Sequence, residues 1–275
     1  MGKTPRRQPV PSNLFSFSRL KAYSQCPLRY RYRYLKGMKE AFKSIEAFLG
    51  SVVHEVLEWM YRRRFEGAPP ALDEVLDELA RRWQASWTDD IAIVRLGVSA
   101  DDVYRQGREM LTGFFHNVFL SDRSTTIALE QRMSARISED VTFTGFADRV
   151  GRTEQGRLFV VDYKTSSREG DASDFSEGLQ APLYAVSAMD HNGDATCLAG
   201  YHYLRFGSTN WRKVDRKTGE VLQNRFRRLA EEALAASEFP PKPGILCAWC
   251  GFNRICPAAE VPESLSGGRF PVARQ

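Results

Sequence analysis

The sequence predicts an α/β protein: helices first, then a mostly antiparallel, hairpin-rich sheet, then a crossover helix, one more strand and a final helix. Three observations carry this. Apolar residues recur at helical spacing in the first part of the chain, as in Val53, Val56, Leu57 and Met60. From Ile127 the pattern changes to runs rich in β-branched and aromatic residues. A helical pattern then returns between two of these runs, at Glu177–Met189.

Taken in order, Ser16 or Ser18 caps a helix through Leu20 and Tyr23, and Cys26-Pro27 interrupts it. A second helix is expected from Gly50 to about Phe65. Pro69-Pro70 breaks the chain, and helices over Leu72–Trp87 and Asp101–Leu120 follow. Strands are expected at Ile127–Ser138, Val141–Val150, Arg157–Lys164 and Thr196–Phe206. Pro182 is tolerated only near the first turn of the Glu177–Met189 helix. A last helix, Gly219–Ser237, leads into the loop EFPPKPG and a cysteine-dense segment. The expected organisation is a single domain over residues 14–258, between flexible tails at 1–13 and 259–275. Residues 66–122 read as a helical insertion and 240–258 as the cysteine segment.

Composition narrows the class. With 39 Lys and Arg against 34 Asp and Glu, the net charge of +5 permits a polyanionic partner without proving one. No apolar run approaches membrane-spanning length, and no membrane role is expected. The N-terminal stretch MGKTPRRQPVPSN is basic with no apolar segment behind it, unlike a secretory signal, so a cytoplasmic location is expected. No GxxxxGK[ST] phosphate loop occurs, so any motor must come from a partner.

The strongest chemical signal is GFADRV, then TEQG, then RLFVVDYKT. The two apolar runs flank a Gly-containing turn and read as a hairpin. With the turn centred near Glu154–Gly156, Asp148 lies opposite or nearly opposite Asp162, and Lys164 shares a face with Asp162. Two facing acids repel, and a buried unpaired carboxylate is expensive. A divalent cation between them resolves both problems, and hard oxygen donors suit Mg²⁺ or Mn²⁺. The plainer alternative is two solvated aspartates at strand ends with Lys164 as their ion-pair partner.

Two further constellations stand out. Cys247, Cys250 and Cys256 form a compact CxxCx5C followed by Pro257, with Cys26 as candidate fourth ligand and Cys197 a separate core thiol. Spacing alone leaves a Cys₄ zinc site, an iron–sulfur cluster or independent thiols open. Near the N-terminus, Arg19, Arg29, Arg31 and Arg33 interleave with Tyr23, Tyr30, Tyr32 and Tyr34. Such a stretch either binds unpaired nucleic acid through phosphates and stacked bases or is an amphipathic segment with its tyrosines in the core.

Asp148 followed by Asp162-Tyr163-Lys164 resembles the D…(D/E)xK core of the PD-(D/E)XK nuclease superfamily. GxxDR before DYKT is particularly similar to the RecB-type exonuclease branch, as are His54 in GSVVHEVLE, Glu130 in ALEQRM, and Gln180 with Tyr184 in QAPLYA. The cysteine pattern is similar to that of iron–sulfur nucleases, which include the AddB helicase–nuclease subunit and CRISPR-associated RecB-like nucleases. The resemblance runs from Phe15 to Pro257, while 66–122 carries no family motif. It implies a central mixed sheet flanked by helices. It implies a metal held by Asp148, Asp162, the Tyr163 carbonyl and His54, with Glu130 at the edge of the site. Lys164 would orient water or stabilise charge on the phosphate. Gln180, Tyr184, Arg29, Arg31, Arg33 and Tyr30 would contact DNA. A 4Fe–4S cluster on Cys26, Cys247, Cys250 and Cys256 would join the ends of the nuclease core. The activity implied is metal-dependent hydrolysis of DNA, exonucleolytic and on single-stranded or free ends, in repair or recombination. A helicase or a CRISPR-adaptation protein is the expected partner. Spacer trimming in CRISPR adaptation and a non-catalytic DNA-binding subunit are the competing readings.

Overall fold

The computed structural model describes residues 13–170 and 178–261. Most of both expected tails, and the Glu177 end of the expected fifth helix, fall outside these residues.

The chain begins with β1 (Leu14–Ser16) and α1 (Phe17–Gln25). Ser16 is the cap, its hydroxyl accepting from the Arg19 N–H at 3.1 Å. The short α2 (Pro27–Tyr30) and a π-helical turn, Arg31–Leu35, follow. Next come β2 (Lys43–Ser44) and α3 (Ile45–Phe65). This helix starts five residues before the expected Gly50, because Ser44 supplies an N-cap to Ala47. The 66–122 region gives α4 (Leu72–Ser86), β3 (Ile91–Ala92), α5 (Ala100–Phe114) and a π-helical turn, Phe115–Phe119. The sheet-forming half comprises β4 (Thr125–Arg136), β5 (Thr142–Arg152), β6 (Leu158–Lys164), α6 (Gln180–Asn192), β7 (Thr196–Tyr203), β8 (Ser208–Asp215) and α7 (Arg216–Ala235). A 3₁₀ turn, Ile245–Trp249, carries the first cysteine of the C-terminal set.

The sheet is mixed rather than mostly antiparallel. The pairs β4–β5, β5–β6 and β7–β8 are antiparallel, while β1–β5 and β6–β7 are parallel. The parallel β6–β7 pair is what α6 bridges as a crossover. Two strands of this sheet escape sequence patterning, as do β2 and β3, which pair with each other outside it. β1 has three residues, and β8 is an edge strand with Val214 its one fully buried side chain.

Helices cover both faces. On one, α1, α6 and α7 bury residues such as Leu20, Ala185 and Phe226 against Phe143, Val150 and Val160. On the other, α3, α4 and α5 pack Val53, Leu79 and Phe114 against Phe159, Val161 and Tyr163. The region without motifs therefore supplies much of one helical layer.

The site depends on how β5 is used. β4 runs along one edge of β5 from Thr142 to Arg152. The opposite edge is shared: β1 pairs with Thr142–Thr144 and β6 with Arg149–Arg152. Between them, at 145–148, this edge of β5 has no strand partner among the described residues. Asp148 sits at the end of that gap.

Candidate active site

Continuing the β5–β6 register from the Arg149–Val161 pair sets Asp148 opposite Asp162, as the hairpin argument expects. The ladder stops there, and the Asp148 carboxylate takes over: Tyr163 N–H donates to its Oδ2 at 2.7 Å. A residue's N–H and C=O leave a strand on the same side, so the Tyr163 carbonyl also faces Asp148. From α3, His54 Nδ1 approaches the same Oδ2 at 3.3 Å. From β4, Glu130 completes the group: one donor atom each from His54, Glu130 and Asp148 lie within 4.8 Å of one another. Glu130 does so with φ of 47°, the one positive φ at a non-glycine residue among those described. That left-handed conformation is costly for an L-residue, and such strain concentrates at functional positions.

Asp162, close enough to feel the Asp148 and His54 charges, takes its direct partners from β6 and α6. Its Oδ2 lies 2.5 Å from Lys164 Nζ, and its Oδ1 accepts from Gln180 Nε2 at 2.8 Å. Gln180 Oε1 in turn accepts from Lys164 Nζ at 3.0 Å. The first residue of α6 thus clasps both charged members of the DYK motif. Gln180 Nε2 also reaches Tyr184 Oη, one turn on, at 3.4 Å. The Tyr184 ring lies against Gly145 within the gap, where a Cβ would come within 2.6 Å of it. Asp148 shares the tight donor group with His54 and Glu130, while Asp162 is tied to Lys164 and Gln180.

Electrostatics follow from this crowding. Burial raises Glu130, and the Asp148 charge adds to it, bringing its carboxyl to about 7. Burial works against charging His54, but Asp148, by charge and hydrogen bond, overrides it and lifts the imidazole to about 9. Burial also pushes Asp162 up, against the pull of Lys164. Three clustered donors with excess acidity, opening on a cavity of about 530 Å³ lined by Gly50, Glu58 and Thr165, have the chemistry of a divalent-cation site. An imidazole among oxygen donors favours Mn²⁺ somewhat over Mg²⁺.

Arg149, next to Asp148, went unassigned in the sequence. It points to the opposite side and is buried. It donates to Asp122 Oδ2 at 2.7 Å, Ser124 Oγ at 2.6 Å and Thr126 Oγ1 at 2.9 Å, and lies 3.7 Å over the Tyr61 ring. Strand alternation is the signal that could have found it.

The basic aromatic stretch requires a correction. Tyr30 is 1 % exposed and packs against Tyr23, Tyr34 and Phe239, so it presents no face to a base. Arg29 is held by Glu40 at 2.9 Å, and Arg33 lies 3.4 Å from the same oxygen. Arg31 and Arg33 are exposed. This pattern fits the amphipathic alternative for the tyrosines.

None of the five cysteines forms a disulfide with another described residue. Cys26, Cys247, Cys250 and Cys256 line one cavity of about 310 Å³, although Cys26 is remote from the others in sequence. Burial pushes the Cys250 thiol up, while Arg29 pulls it down. Cys197 is buried in β7, away from that cavity. No helix among the described residues is long and apolar enough to cross a membrane.

The chain is 24% identical over 203 residues to a subunit of the ATP-dependent helicase/deoxyribonuclease of Clostridium tetani, covering 61% of this chain and 17% of that protein. It is 24% identical over 265 residues to the protein of the same name from Streptococcus uberis, covering 88% of this chain and 23% of that one. The chain thus spans less than a quarter of the length of either relative. The crystal structure of SSO0001 aligns with a TM-score of 0.42 at 14% identity, over 90% of this chain and 88% of that one. The family model of the PD-(D/E)XK nuclease superfamily matches residues 14–257, from β1 to the proline after the last cysteine, and the chain belongs to that superfamily.

Proposed function

We propose that this chain hydrolyses phosphodiester bonds of DNA, acting as an exonuclease on free, single-stranded ends beside a helicase partner. The carrying observation is the tight His54–Glu130–Asp148 donor group next to the Asp162–Gln180–Lys164 clasp. His54, Glu130 and Asp148 would hold a Mg²⁺ or Mn²⁺ ion, with Asp162 and the Tyr163 carbonyl beside them. An ion held by these residues would supply an activated water and charge for the phosphoryl oxygens. Gln180 fixes the Lys164 ammonium in one direction, so that it meets the phosphate without reorganising. Tyr184, seated on Gly145, backs that glutamine. The helicase partner is supported by the names of the two relatives.

The four cysteines would hold a 4Fe–4S cluster. The four line one cavity, and the choice of a cluster over zinc rests on the resemblance of the CxxCx5C pattern to iron–sulfur nucleases.

The test uses end-labelled single- and double-stranded DNA with Mn²⁺, Mg²⁺ or chelator. The wild type should release nucleotides progressively from single-stranded ends only with metal. Lys164→Ala should lose about 100-fold or more in rate while binding metal normally. Wild-type cleavage by a folded Lys164→Ala protein would remove the proposal.

A further inference from the structure

On the face of β6 turned away from Asp162 lies a second cavity, of about 360 Å³. Its walls are aromatic: Phe114 from α5, Phe159 and Tyr163 from β6, and Trp211 from β8. Trp211 is 49 % exposed and forms the rim. Its ring lies on Gly200, where a Cβ would fall 2.4 Å from it, and stands edge-on to Phe159 at 5.9 Å. The tryptophan is thus seated on the sheet with part of its surface left to solvent.

His202, from β7, also lines this cavity and is 2 % exposed. It packs against the Phe114 and Tyr163 rings, at 5.1 and 6.2 Å between centroids. Its Nδ1 is paired with Thr209 Oγ1 at 2.7 Å. Its Nε2 is buried with no partner. The other buried polar groups here are engaged, Arg149 by Asp122, Ser124 and Thr126, and Asp122 by Tyr61 and Ser124 as well. Aromatic surface with one unspent hydrogen-bonding nitrogen is a binding site for a flat, uncharged heterocycle that carries a polar edge. Arg123, exposed at the mouth, offers a cation to a group attached to that heterocycle.

We propose that this cavity binds an unpaired nucleobase, stacked on Trp211 and hydrogen-bonded to His202 Nε2. The choice of a nucleobase among flat heterocycles rests on membership of a nuclease superfamily, not on the metal-site assignments. The base can belong to a released mononucleotide or to a passing strand. Either way the occupant would touch the Tyr163 ring, whose peptide N–H holds Asp148.

The experiment is isothermal titration of the whole chain in chelator, so that no hydrolysis occurs and nuclease activity plays no part. The probes are dAMP, dCMP, a short oligothymidylate and, as the base-free control, deoxyribose 5-phosphate. Binding of a base-containing probe, with the control at least tenfold weaker, is expected. Trp211→Ala and His202→Phe should each weaken it about tenfold, the loss of one stacking surface. Competition by inorganic phosphate, which carries no base, should not displace the probe, separating this cavity from nucleotide held through its phosphate at the catalytic centre. Mononucleotide binding identifies released product as the source. Binding of the oligonucleotide alone, sensitive to Trp211→Ala, identifies a strand. The proposal is overturned if no base-containing probe binds or if deoxyribose 5-phosphate binds equally well. It is also overturned if the Trp211→Ala protein, shown folded by an unchanged melting transition, binds like wild type.

Discussion

At the scale of single residues, the site makes two measurable demands. Glu130 at about 7 and His54 at about 9 must both give up protons before they can ligate a cation. Below pH 7 both hold their protons; raising the pH first frees Glu130 and then lowers the cost of displacing the His54 proton. Mn²⁺ affinity should therefore rise steeply between pH 6 and pH 9, with proton release on binding. Calorimetry in two buffers of different ionisation enthalpy checks this, and His54→Ala should flatten the upper part of the profile. Glu130 carries the second demand in its backbone. Glu130→Gly keeps φ of 47° without a Cβ clash, so the metal-free protein should gain about 1 kcal/mol. The same change should weaken Mn²⁺ binding tenfold or more; a denaturation curve and a metal titration read the two effects. Asp148, Asp162 and Lys164 were legible in sequence because acids in an apolar hairpin conflict with burial. The closeness of Glu130 to His54 was not, because it depends on one left-handed residue that local patterning does not encode.

At the scale of elements, β5 is the organising strand. It accepts three partners, and the gap between β1 and β6 is where chemistry collects. The hairpin signal predicted β5 and β6 closely. β8 escaped because a polar edge strand has no alternating apolar face, and β1 because three residues carry no period. The start of α6 at Gln180 agrees with the demand Pro182 makes for a first-turn position. Behind the site, Arg149 joins β5 to the Asp122–Ser124 turn and to α3 through Tyr61. Asp122→Ala would strand a buried guanidinium beside two aromatic rings. It should destabilise the fold by about 3 kcal/mol, measured by urea denaturation, far more than loss of an exposed ion pair such as Arg216–Asp190.

At the scale of the whole molecule, the two helical layers were expected only in outline. The 66–122 region carries no motif, yet its helices close one face of the sheet, because packing needs apolar surface rather than particular chemistry. Spacing grouped Cys247, Cys250 and Cys256, the family resemblance added Cys26, and the four line one cavity. Purified anaerobically, the wild type should carry about four irons per chain. Cys26→Ala should lose the iron and become protease-sensitive, whereas Cys197→Ala should keep its colour; iron content and limited proteolysis are the readouts. A filled cavity also turns residues 26–256 into a closed ring, since its clasp draws on both ends of that span. A ring can be cut once without coming apart. A single nick in a surface turn would therefore leave one particle on a native gel. Only removal of the iron, followed by denaturant, would let the two pieces drift away from each other.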